Sequence, residues 1–139
     1  MPVQDKSARE SLATFAGGKG DVLLSYENET ITAQQKGETV EYVVPAETIL
    51  IENPVAVVTE SANPEKAQEF ITFLRTPEAQ RIFSAKGYRS LLPEIQEEFT
   101  DTYPTPEKLF TIDDLGGWAD VTTKFFDPDN GIVAVVQQQ

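Results

Sequence analysis

The chain has 139 residues, 40% of them apolar, and carries a formal net charge of -12 with no His and no Cys. That length can bury the core of one domain, and no apolar run approaches the ~20 residues that a membrane helix needs. Without Cys there is no disulfide or thiol chemistry; without His the commonest general base and zinc ligand is missing; and the acid excess argues against nucleic acid, whose binding rests on Lys and Arg neutralising phosphates.

Behind Met1 stands neither a basic n-region nor an apolar h-region, so no signal peptide is expected in this chain. Asp5 to Phe15 reads as a loop entering a short helix. Ser7 is the N-cap, Glu10 three residues on completes a capping-box pattern, and Leu12 and Phe15 form the buried edge. The first-turn N–H groups of Ala8, Arg9 and Glu10 would point outward, and free amides at a helix start can hold an anion without a basic side chain. Simple capping explains the same residues.

Gly20-Asp21 turns into an apolar strand, Val22-Leu23-Leu24, which ends on Ser25, Tyr26, Glu27 and Glu29. Ligands of open α/β sheets bind beyond the carboxyl ends of strands, so this end reads as a ligand wall. It reads equally as an ordinary strand followed by a solvated acidic turn. Thr39 to Val44 alternates Val40, Tyr42 and Val44 as a strand, which Pro45 ends. Ile49–Ile51 and Val55–Val58 are apolar runs broken at Glu52-Asn53-Pro54, and they predict one bent strand.

Pro64 opens a helix whose stripe is Ala67, Phe70, Ile71 and Leu74. Thr76 caps a second, with Ile82 and Phe83 on its buried side and Gly87 as its stop. Leu92-Pro93 through Phe99 predicts a third helix. Caps and turns at Thr105-Pro106-Glu107 and Thr111–Asp114 lead to a helix around Trp118 to Phe126, and Gln137 to Gln139 is a frayed end. Glu27 and Glu29 would share a strand face, which is the raw material of a glycosidase pair, but nothing sets a substrate between them. Asp127-Pro128-Asp129-Asn130-Gly131 has the look of a calcium loop but lacks the closing Glu of an EF-hand, so it reads as a turn. Trp118 after Gly116-Gly117 could stack on a sugar or pack over the core.

Taken in order, these pieces resemble a known family. Asp5, Ala8-Arg9, Ser11 and Thr14-Phe15, then Gly20-Asp21-Val22-Leu23 and Glu27-Asn28-Glu29, are similar to the sulfate/thiosulfate-binding proteins of bacterial ABC importers. Val43-Val44-Pro45, Ile49 to Val58, Ala67 to Phe83, Gly87-Tyr88-Arg89, Leu109 to Ile112 and Gly116-Gly117-Trp118 continue the resemblance across nearly the whole chain. The helical segment alone is shared by many solute-binding proteins; the ordered set is specific.

The resemblance implies a partial type II periplasmic-binding-protein fold of the α/β class: mixed sheet strands flanked by helices, with the N-terminal lobe missing. Residues 1–44 would be a remnant of the second, ligand-binding lobe, 45–58 the crossing strand, and 59–139 the helical part of the first lobe plus a tail. The function implied is the capture of a tetrahedral oxyanion in the periplasm for an ABC permease, with no catalysis, no cofactor and no metal. Ala8 would donate its backbone N–H and Tyr26 its hydroxyl, where members of the family often carry Trp. Arg9 would buttress the site. A donor-only cavity suits fully ionised sulfate, since a protonated phosphate buries an unmatched donor at a cost of ~1–3 kcal/mol. With so few contacts, the chain alone is expected to bind weakly or not at all. Two other readings stay open: preference for another oxyanion, and a self-associating fragment without a ligand.

Overall fold

The computed structural model describes residues 5–137. Seven helices are found among them: α1 (Ala8–Ala16), α2 (Glu27–Gln35), α3 (Pro64–Leu74), α4 (Pro77–Ala85), α5 (Pro93–Glu98), α6 (Gly117–Phe126) and α7 (Ile132–Gln137), with two strands, β1 (Glu47–Ile49) and β2 (Lys108–Phe110). The chain divides into two compact units, one of Lys6–Val44 with Asn53–Thr105, the other of Pro45–Glu52 with Pro106–Gln139.

Local chemistry sets most helix starts in the first unit. Pro64, Pro77 and Pro93 each occupy a first helical turn, where the missing N–H costs nothing. The Thr76 hydroxyl accepts from the Ala79 amide at 3.3 Å, a cap worth about 1 kcal/mol. α1 packs on α2, and α4 packs on both α3 and α5. Ile31, Ala33, Ala79, Ile95 and Tyr103 form the buried core. Gln80, also buried, ties α4 to its surroundings. Its carbonyl oxygen accepts from the Ser90 hydroxyl (3.0 Å) and the Leu91 amide (2.8 Å), and its amide donates to the Leu74 carbonyl.

In the second unit β1 and β2 run parallel, with Glu47 opposite Lys108, Thr48 opposite Leu109 and Ile49 opposite Phe110. A 3-10 turn at Asp113–Leu115, α6 and α7 follow, with Val121 buried. The Asp114 carboxylate accepts from the Thr111 amide and hydroxyl, and those bonds hold it below the usual carboxylate range. Asp127 Oδ1 accepts from the Asp129 and Asn130 amides, the hydrogen bonding of a turn.

The strands differ most from the sequence expectation. Val22–Leu24 and Thr39–Val44 are not strands, and the run from Ile49 to Val58 contributes only the end of β1. Among the described residues, β1 and β2 make the one sheet, and the other apolar runs have no ladder partner. A strand is a pairing, and β-propensity measures how a side chain fits a half-buried pleated surface rather than a local backbone preference. Val22, Leu24 and Val43 are more than four-fifths exposed. Phe70 and Ile82 face solvent instead of the core, Phe70 stacking on Phe73 at 6.4 Å, and Trp118 stands exposed in the first turn of α6. Gln137 closes α7; Gln138, Gln139 and residues 1–4 lie outside the described residues.

Gly87 follows α4 with φ +100, as its reading as a stop requires, and it also meets α2: a Cβ there would lie 2.8 Å from the Asn28 Cα. Gly37 has φ +87 in open space. Both changes to Ala incur the left-handed penalty of about 1 kcal/mol, and Gly87→Ala adds a backbone clash, for a total loss of at least about 2 kcal/mol. Urea unfolding of the two variants should show the larger loss at Gly87; equal losses would mean that α2 yields freely.

Candidate functional site

The start of α1 forms as its sequence suggests, with one shift. Ser7 is extended (φ -150, ψ 156), and its hydroxyl accepts from the Glu10 amide at 3.2 Å. The Glu10 carboxylate reaches back to the Lys6 amide (3.1 Å), one residue before the cap, so the box closes on a different donor. The Glu10 N–H is therefore occupied, contrary to the expectation that it points outward free. The amides of Ala8 and Arg9 have no hydrogen-bond partner among the described residues. They sit at the positive end of the helix dipole. The Arg9 side chain is exposed.

Tyr26 does not end a strand. It is the N-cap of α2 (φ -79, ψ 144), with a half-exposed side chain that makes no capping bond. Strand alternation between Ser25 and Tyr26 therefore does not apply. Glu27 and Glu29 stand in the first helical turn, where acidic side chains favour the dipole. Residues two apart on a helix do not face each other, so the carboxylate-pair reading loses its geometry. α1 and α2 pack together, so the starts of both helices belong to one unit.

The first turn of α2 is gripped by Gly87, read in the sequence only as a helix stop, and by Tyr88 and Arg89, to which the sequence assigns no contact. Arg89 forms a two-pronged ion pair with Glu27: Nε to Oε2 at 2.7 Å and Nη2 to Oε1 at 2.9 Å. Both side chains are mostly buried. The same Nη2 donates to the Pro104 carbonyl at 2.9 Å, and the guanidinium lies 5.3 Å from the centre of the Tyr103 ring. The Asn28 amide reaches the Tyr88 hydroxyl at 3.4 Å, and Gly87 abuts the Asn28 backbone. Gly87, Tyr88 and Arg89 thus hold Glu27 and Asn28. Only the tripeptide Gly87-Tyr88-Arg89 itself signalled this, and its partner 62 positions away in the sequence is invisible to local periodicity.

Two tyrosines complete the cluster. Burial, and then the charge of Glu27, raise the Tyr103 hydroxyl to about 12, and the same causes raise Tyr42. The Tyr103 hydroxyl donates to the Ser84 carbonyl, and that of Tyr42 donates to the Thr102 carbonyl.

Residues 1–89 match the family of bacterial extracellular solute-binding proteins. The chain belongs to that family. It is 47% identical to a sulfate-binding protein of Synechococcus elongatus over 99% of its own length and 41% of the relative. It is 34% identical to a thiosulfate-binding protein of Escherichia coli over 91% of its length and 39% of the relative. Among solved structures it matches the sulfate-binding protein SubI from Mycobacterium tuberculosis H37Rv, with a TM-score of 0.81 and 42% identity over 90% of this chain and 44% of that one. The chain therefore carries part of a periplasmic-binding-protein fold and spans about two-fifths of the length of such relatives. The relatives are solute-binding proteins rather than enzymes.

The raised tyrosines set an alkaline limit. A folded pKa above the unfolded value of 10 gives stability that is complete below pH 10 and lost as pH rises toward about 12. Unfolding free energy measured from pH 8 to 12 should fall above pH 10, and Tyr103→Phe should flatten that fall. A variant as steep as the parent would mean that Tyr103 ionises freely in the folded chain.

Proposed function

We propose that this chain is part of the solute-binding component of a sulfate or thiosulfate importer, capturing a tetrahedral oxyanion in the periplasm for an ABC permease and catalysing nothing. The observation that carries this is the match in sequence and backbone, over nine-tenths of the chain, to a sulfate-binding protein. Ala8 donates its backbone N–H at the start of α1, Tyr26 its hydroxyl at the start of α2, and Arg9 buttresses the first of these. Lys6–Val44 and Asn53–Thr105, which form one compact unit, serve the ligand-binding lobe together, and Pro45–Glu52 lead across to the other lobe.

The charge of -12 does not oppose this. Exposed charges are screened beyond ~8 Å at physiological ionic strength, whereas dipoles at a dehydrated site are screened far less. Amide and hydroxyl donors also select a fully ionised anion that accepts hydrogen bonds without offering one.

Two charge-assisted bonds at about 1.5–3 kcal/mol each fall short of the about 8 kcal/mol of a micromolar affinity, before the cost of immobilising the anion is subtracted. Titration calorimetry of the 139-residue chain with sulfate should give a dissociation constant no tighter than millimolar; a micromolar constant would contradict so sparse a donor set. By NMR at millimolar sulfate, Tyr26→Phe should weaken the response more than Ser25→Ala, because only Tyr26 offers its hydroxyl from the cap of α2. An equal or larger loss at Ser25 would move the contact to its neighbour.

A second reading concerns assembly. Val22, Leu24, Val43, Val55 and Val58 are exposed in segments that have no ladder partner among the described residues, and unpaired apolar chain of that kind is a template for pairing. We propose that two copies pair these segments, completing each other's sheets. Sedimentation equilibrium at neutral pH should show mass rising with concentration above that of one chain. A cooperative monomer at every concentration would contradict it.

A further inference from the structure

We propose that Arg89 is a positioning residue for the anion: its fork on Glu27 fixes the first turn of α2 and cancels a carboxylate that would otherwise stand beside the Tyr26 donor. This rests on the reading that Tyr26 contacts the anion. Glu27 follows Tyr26 directly in the chain, as the first residue of α2, and the Tyr26 ring is half-exposed. A mostly buried carboxylate on the residue next to an anion donor repels the ligand unless it is neutralised where it stands, and Coulomb energy between neighbouring charges in a partly buried setting is large enough to decide binding. Arg89 neutralises it in a geometry that leaves little freedom. Both Glu27 oxygens are engaged, the guanidinium is anchored to the Pro104 carbonyl, and its face lies against Tyr103. Lys would supply the charge without the planar fork. Gly87 and Tyr88 hold Asn28, the next residue of α2, so three consecutive residues set both the place and the charge of this helix start.

The test is NMR of the 139-residue chain titrated with sodium sulfate against sodium chloride at fixed ionic strength, reading the initial slope of the amide shifts of residues 26–28 and of residues 8–10. Arg89→Ala should lower the slope at 26–28 about tenfold and leave that at 8–10 within about twofold of the parent. Adding Glu27→Gln to Arg89→Ala should restore most of the lost slope even though the ion pair and its stability are not restored, a recovery that a purely structural role does not give. Glu27→Gln alone, which frees the guanidinium charge and keeps Arg89 in place, should raise the slope; this arm stands even where Arg89→Ala fails to fold. An Arg89→Ala slope equal to the parent's, a double variant as weak as Arg89→Ala, or a Glu27→Gln slope at or below the parent's each overturns the inference while the anion reading survives. A parent chain with no sulfate response beyond that of chloride overturns the reading and the inference together.

Discussion

The ion pair between Arg89 and Glu27 is the constraint on which the candidate site depends. It joins two stretches separated by 62 residues in the chain, the turn that follows α4 and the start of α2. Its neighbours pack closely about it. Gly87 has no Cβ because the Asn28 backbone is already there, and Tyr103 is buried with its ring under the guanidinium. A mostly buried pair of this kind adds little net stability over apolar packing, but loss of one partner leaves an uncompensated charge. Its proposed value is in cancelling the Glu27 charge beside the half-exposed Tyr26 while the fork holds the first turn of α2.

The proposed chemistry uses neutral donors on an acidic chain. With the Arg89 guanidinium committed to Glu27, the donors proposed for a ligand are amide and hydroxyl hydrogens at two helix starts. Such donors suit an anion that must be both recognised and released, because they bind without a fixed full charge. The packing of α1 on α2 keeps the two starts within one unit.

Much of this was legible in the sequence, and what was legible was local. Ser7, Thr76, and the prolines at 64, 77 and 93 mark helix starts through hydrogen-bond and φ requirements that a few residues satisfy by themselves, and Gly87 marks a stop the same way. The family resemblance was legible for a different reason, the order of many short motifs. The start of α2 was misread because Val22-Leu23-Leu24 has strand composition and drew Ser25 to Glu29 into its pattern, while Glu27 and Glu29 were the first-turn acids of a helix. α2 itself has few apolar residues, so no stripe announced it. Strand pairing stayed out of reach because it depends on a distant partner, as β1 with β2 shows across some sixty residues. Arg89 stayed out of reach for the same reason.

Anomalous diffraction from crystals of the chain soaked in selenate, at the selenium edge, is the most direct measurement of the central claim. The account predicts one anomalous peak within hydrogen-bond distance of the Ala8 amide or the Tyr26 hydroxyl, with the Arg89–Glu27 fork intact beside it. A peak coordinated by the Arg89 guanidinium, with Glu27 displaced, would contradict it, because the anion would then be held by the charge that is assigned here to masking Glu27.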